Sequence, residues 1–258
     1  MAYTAEQQEE LTQGFVVAQE DLRDVMFECL RQTESTNNAA SRDYLRPGAA
    51  RRLGVTRRAM HQVFDLFPLT TDRRLPIESL HDVQINLHAF VTNLYGFFEN
   101  LAWAHVKRHG LLDKIGGRLK VSMFKSTTQE HMPHAVADYL ASETMTRWHS
   151  EYLKNYRDAL AHRIPLYIPP QVMTEEQSRR YSALELEKQS LVGCDNWGRI
   201  EAIIAEQDDI GSPCFSFVHS FEESEVSRHI FFHPQMISDS NTATEFGHLF
   251  LAAWHEHR

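Results

Sequence analysis

One segment dominates what this chain can fold into. Between Pro76 and Gly110 the residues Leu80, Leu87, Phe90, Leu94, Phe97, Leu101 and Ala104 recur at helical spacing. Neither proline nor glycine interrupts that stripe except Gly96, so the reading is a single helix over about residues 77–109. Such a helix is roughly 50 Å long. Its apolar stripe must be covered along that whole length, and other helices are the economical cover. Residues 5–32 supply one, with Leu11, Phe15, Ala18, Leu22, Met26 and Leu30 at spacings of three and four. Residues 134–162 supply another, through Met145, Trp148, Tyr152, Tyr156 and Leu160. Shorter helices are expected at 55–67, at "TEEQSRRYSALELEKQSL" and at "NWGRIEAIIAEQ". The segment "TESTNNAASRDYLRPGAA" reads as a loop and residues 109–133 as a broken connector. "CFSFVHSF" and "SRHIFFHP", separated by "EESEV", read as a β-hairpin, and the last helix as "NTATEFGHLFLAAWHEH". The fold class is mainly α, a bundle around two long central helices with a small C-terminal hairpin and a closing helix.

Charge divides the chain in two. The net charge is -9, but residues 171–258 hold six basic against fifteen acidic side chains and so carry all of it. Residues 1–170 are expected to form the bundle, and 171–258 an acidic extension packed on the same domain. A net negative chain is a poor nonspecific coat for nucleic acid. Inside the neutral part, however, "RDYLRPGAARRLGVTRRA" sets six arginines against one aspartate. Arg51, Arg52, Arg57 and Arg58 are its candidate nucleic-acid-binding residues, because guanidinium forks match phosphate oxygens. A solvated loop and helix start is the plainer reading. Three widely spaced cysteines suit a reducing cytoplasm. The acidic, helix-like start does not read as a secretory signal, and no apolar run reaches membrane-spanning length.

Asn86, Asn93 and Asn100 repeat every seven residues beside the central stripe. They are either a solvent-facing row or amides paired with something specific. Fifteen histidines raise the question of metal, with His219, His229 and His233 in the hairpin and His248, His255 and His257 near the end. No HExxH and no Cys/His pair of finger-like spacing accompanies them, so no metal and no cofactor is expected. GxxxxGK[ST], GxGxxG and GxSxG are also absent, which disfavours a phosphate-loop or serine-nucleophile enzyme.

The remaining candidate is "RDALAH", Arg157 to His162. On a helix Arg157 and His162 stand about 140° apart and roughly 7.5 Å along the axis, with Asp158 between them in angle. All three lie off the stripe through Trp148, Tyr152, Tyr156 and Leu160. The helix must stop here, because Pro165 pushes Ile164 out of the α region. Histidine can act as base or acid toward a hydroxyl, and arginine can hold a phosphate or stabilise charge developing on it. That pairing is much of what metal-independent RNA cleavage requires. Basic residues also favour a last helical turn for capping reasons alone.

An arginine followed by a polar residue, with a histidine four to six residues on, resembles the motif of the HEPN superfamily. The bare spacing also fits Arg74 to His81 and Arg228 to His233, but only "RDALAH" ends a long amphipathic helix. The resemblance spans about residues 80–170. It implies a helical bundle acting as a homodimer, with the motifs of two protomers facing each other across a composite cleft. It makes Arg157 and His162 the catalytic pair, with Asp158 orienting them and Asn155, Glu99 and Asn100 lining the cleft. Many such proteins are ribonucleases of toxin–antitoxin or phage-defence type, with an antitoxin or other regulatory protein as partner. Others bind nucleotides or proteins without catalysis.

Overall fold

The computed structural model describes residues 3–163, 165–219 and 228–255. Helix α1 (Ala5–Glu34) opens on a capping box, in which Thr4 and Gln7 each bond the other's backbone N–H. Helix α2 (Ala39–Asp43) runs through a π-helical turn at Tyr44–Ala50 into α3 (Arg51–Leu66). Helix α4 (Ile77–His109) starts after Pro76 and ends at Gly110, whose φ of 63° is the left-handed cap that glycine adopts without strain. Three short pieces follow: α5 (Leu112–Ile115), a 3-10 turn at Arg118–Lys120 and α6 (Ser126–Gln129). Then come α7 (His134–Ala141), α8 (Glu143–Arg147), a second π-helical turn at Trp148–Leu153 and α9 (Lys154–His162). Helices α10 (Glu175–Leu191) and α11 (Trp197–Asp208) form a hairpin, β1 (Ser216–His219) pairs antiparallel with β2 (Arg228–Phe231), and α12 (Phe232–Ala252) closes the described fold.

The mainly helical bundle is as expected, with departures in detail. The "loop" before α3 is helical because Asn38 caps it and Ser41 Oγ donates to the Ala104 carbonyl at 2.8 Å. Leu45, Ala49 and Ala50 are then buried against the bundle. Pro47 survives inside a helix because the wider π turn relieves the clash its ring would make in α geometry. Residues 134–162 are not one continuous helix. Ser142 adopts extended backbone and its side chain accepts from the Met145 N–H at 3.3 Å, so α8 starts afresh. Helix α12 begins earlier than "NTATEF", since Pro234 in a first turn needs no N–H partner. The turn "EESEV" and His257 lie outside the described residues.

The core wraps α4, where Leu87, Phe90, Leu94, Phe97, Phe98 and Leu101 are at most 2% exposed. Phe215, Phe217, Phe232 and Phe246 from the acidic third join that same core. Leu184 of α10 and Ile203 of α11 instead share a small cluster with Ile210, just beyond α11. Helix α1 meets α12 closely at Gly247, where a Cβ would fall 2.6 Å from Val25 Cγ1 and 3.3 Å from Phe97 Cζ. Valine has little rotamer freedom with which to yield. Gly247→Ala is therefore expected to lower stability by about 1–3 kcal/mol through overpacking, read from urea unfolding midpoints. Among the described residues, no helix is long and apolar enough to cross a membrane.

Candidate functional site

Helix α4 carries polar groups on two distinct faces, about 110° apart around its axis. Tyr95 and Glu99, four residues apart, share one face; Asn93, Gly96 and Asn100 share the other.

On the first face, α9 delivers Arg157 and Asp158. Arg157 Nη1 lies 3.0 Å from Asp158 Oδ1, and the guanidinium carbon stands 4.3 Å over the Tyr95 ring. Burial works against the Arg157 charge, yet Tyr95, Asp158 and Glu99 together hold its pKa above the ordinary value. The connector before α6 crosses this face too. Ser122 Oγ donates to Glu99 Oε1 at 2.7 Å, and the Met123 N–H also reaches that carboxyl. Burial raises the Glu99 pKa, against the pull of Ser122, Met123, Arg157 and Lys125. The π turn before α9 brings in His149, which stacks on Phe124 at 3.7 Å and 11° and lies 6.2 Å from Tyr95. Burial, helped by the charges of Lys154 and Arg157, lowers the His149 pKa to about 4. Its imidazole is uncharged at neutral pH.

Two buried side-chain atoms of this cluster lack a hydrogen-bond partner: Arg157 Nε and His149 Nε2. Native structures leave few such atoms, and each invites a chemical explanation. The site thus offers a guanidinium, nearby lysines at 125 and 154, three stacked aromatic faces and a carboxyl that resists ionisation. Those are the means to hold an anion carrying a planar ring.

His162 is exposed at the last residue of α9, and among the described residues its side chain makes no hydrogen bond or ion pair. Within one chain it is thus not drawn into the Arg157 cluster. Asn155 is half-buried and its amide donates back to the Glu151 carbonyl at 3.4 Å. Glu99 belongs to the Arg157 cluster, but Asn100, about 100° further round α4, turns to α3 and accepts from Arg52 Nε at 2.9 Å. Arg57 is turned toward α1, donating to the Gln19 carbonyl at 3.2 Å while its own carbonyl accepts from Gln19 Nε2 at 3.0 Å. Arg51 and Arg58, seven residues apart, are both exposed on one stripe of α3. The other two spacing matches have different surroundings: Arg74 pairs with Asp208, and His233 is buried in the core.

Tyr95, Ser122, Phe124 and His149 were not anticipated. Tyr95 is readable in retrospect as the residue one turn before Glu99. Ser122 and Phe124 lie in a connector with no periodicity, so nothing local marks them. Among the described residues, no three His, Cys, Asp or Glu side chains converge in a way that could hold a metal ion. No protein-family model matches this chain, nor does any curated protein or solved structure.

Proposed function

We propose that the Arg157 cluster binds an RNA phosphate and that the protein is a HEPN-like, metal-independent endoribonuclease working as a homodimer in the cytoplasm. The observation that carries this reading is the pair of buried, partnerless atoms, Arg157 Nε and His149 Nε2, in one cationic and aromatic cluster. Arg157 holds the scissile phosphate and stabilises the charge that builds on its oxygens. Asp158, itself bonded to Arg157, keeps the guanidinium in place. A 2′-hydroxyl attacks phosphorus, its proton passing to a general base, and the 5′-oxygen leaves with a proton from a general acid. The products are a 2′,3′-cyclic phosphate and a 5′-hydroxyl, with no metal required. His162 supplies the base or acid, and its exposed position suits a cleft completed by a second protomer.

RNA incubated with the protein in EDTA is expected to be cut, and Arg157→Gln and His162→Ala are each expected to slow cutting by about a hundredfold or more. Intact RNA after long incubation, or cutting by both variants as fast as by the parent, overturns the reading. One observation favours a second reading: the His162 side chain forms no hydrogen bond or ion pair with the Arg157 cluster inside one chain. A non-catalytic dimeric module that stacks a nucleotide base on Tyr95, Phe124 and His149 would show binding, lost in Arg157→Gln, without turnover. A strictly monomeric protein by light scattering would count against both.

A further inference from the structure

The Asn93–Gly96–Asn100 face of α4 carries a second built site. A pocket of about 450 Å³ opens where the π turn at Tyr44–Ala50 meets α3 and α4, with Asp43, Tyr44, Arg51, Arg52, Asn93 and Asn100 on its walls. Its volume lies in the range of small-molecule sites. Arg52 is its fixed feature. The Nε donates to Asn100 Oδ1 at 2.9 Å and Nη1 to Asn93 Oδ1 at 3.3 Å. The Asn93 amide is itself oriented, since Nδ2 donates to the Ala89 carbonyl at 2.8 Å and leaves the oxygen for Arg52. The guanidinium lies directly on the backbone of Gly96, where a Cβ would stand 2.4 Å from Arg52 Cζ. Only glycine admits that approach.

Both acceptors are neutral amides, and among the described residues Arg52 forms no ion pair. The charge is therefore held rigidly in a pocket without being cancelled, which is the condition for recognising an external anion. Arg51, the next residue, lines the same pocket. Tyr44 offers a ring already stacked on Trp103 at 5.5 Å and 14°, with Arg118 and Lys107 each 5.7 Å from the Trp103 ring. Asp43 on the wall supplies an acceptor for a hydroxyl. We propose that this pocket binds the terminal phosphate of a nucleotide, with Arg52 and Arg51 on the phosphate, Tyr44 against the ring and Asp43 on a sugar hydroxyl. That phosphate comes either from a free nucleotide or from the 5′ end of an RNA. The site is separate from Arg157 and does not depend on the activity proposed there.

The test uses the full chain carrying Arg157→Gln, so that the first site is silent, and adenosine 5′-monophosphate as the probe in calorimetry. Binding is expected, with adenosine binding at least about tenfold more weakly, equal to about 1.4 kcal/mol. Gly96→Ala is the decisive variant. It keeps every charge but drives the guanidinium from its seat, and alanine suits a helix interior better than glycine. It is expected to melt no lower than its parent and to lose binding at least tenfold, and Arg51→Gln, an exposed change, is expected to weaken binding as well. A 5′-phosphorylated RNA oligonucleotide binding more tightly than the mononucleotide, with the 5′-hydroxyl form weak, identifies an RNA end; equal affinities identify the free nucleotide. No binding of the mononucleotide, binding unchanged by both Gly96→Ala and Arg51→Gln, or adenosine binding as tightly overturns the proposal.

Discussion

Asp239→Ala is expected to remove about 4 kcal/mol of stability at neutral pH, a large share of what a domain possesses. Asp239 is fully buried on α12 and receives three donors. Trp148 Nε1 reaches Oδ1 at 2.9 Å, Gln235 Nε2 reaches the same oxygen at 2.8 Å, and the Tyr152 hydroxyl reaches Oδ2 at 2.8 Å. Alanine strands all three donors at a partly buried site, and stranded donors are far more harmful than a hydrogen bond is helpful. Asp239→Asn separates this loss from the loss of charge. Its oxygen can accept from Trp148 and Gln235, and its amide can donate to the Tyr152 oxygen. The asparagine variant is therefore expected to stay within about 1 kcal/mol of the parent in urea midpoints. The effect reaches the site as well, because Trp148 and Tyr152 flank His149 on the π turn. Without Asp239 that turn loses its anchor, and the stacking of His149 on Phe124 should loosen. Near-ultraviolet circular dichroism should register the change in Asp239→Ala and not in Asp239→Asn.

Asp239 also shows what a single sequence makes legible. The stripe through Leu80, Leu87, Phe90 and Leu94 is periodic and bounded by proline and glycine, so α4 emerges with its ends. The "RDALAH" segment is marked by Pro165 beyond it and by the aromatic stripe beside it. Local signals of that kind carry the fold class and place Arg157. They do not carry Asp239, whose three partners include two residues 91 and 87 positions upstream and whose own neighbourhood reads as ordinary polar helix. Arg52 is the same case. Six arginines in a row of eighteen residues suggest a phosphate-tracking surface, yet Arg52 and Arg57 are each engaged by another helix. The Asn93 and Asn100 repeat was the visible half of that contact; the glycine between them is the other half. The helical stretch at 39–50 has no local signal for a related reason. Its composition is that of a loop, and contacts distant in sequence make it helical: the Ser41 bond to Ala104 and the burial of Leu45, Ala49 and Ala50 against α1 and α4.

His233 is expected to make the protein acid-labile well above the pH at which carboxylates protonate. The ring is fully buried among Phe64, Phe67, Phe215 and Phe232, and its Nε2–H donates to the Phe67 carbonyl at 2.9 Å. Nδ1 accepts from the Tyr3 hydroxyl at 3.4 Å, and Tyr3 is the one titratable group among these aromatic neighbours. Burial lowers the pKa from 6.5 to about 3. Between those values the unfolded chain binds a proton that the folded chain refuses, so falling pH favours unfolding. By pH 4 the loss relative to pH 8 is about 3 kcal/mol from this ring alone. His149, lowered to about 4, acts in the same direction but more weakly because it is less enclosed. Asp239 opposes them both. Burial raises its pKa from 3.8 to about 6, so the folded chain holds a proton there that the unfolded chain releases, and that stabilisation fades as pH rises through 6. The two slopes partly cancel between pH 4 and 6 in the parent. His233→Gln keeps an amide donor for Phe67 and removes the titration, so its stability should fall far less on acidification, measured by urea unfolding at pH 8, 6 and 4. Asp239→Asn removes the opposing slope and should fall more steeply than the parent over the same range. Equal acid sensitivity in parent and His233→Gln would place the proton uptake elsewhere.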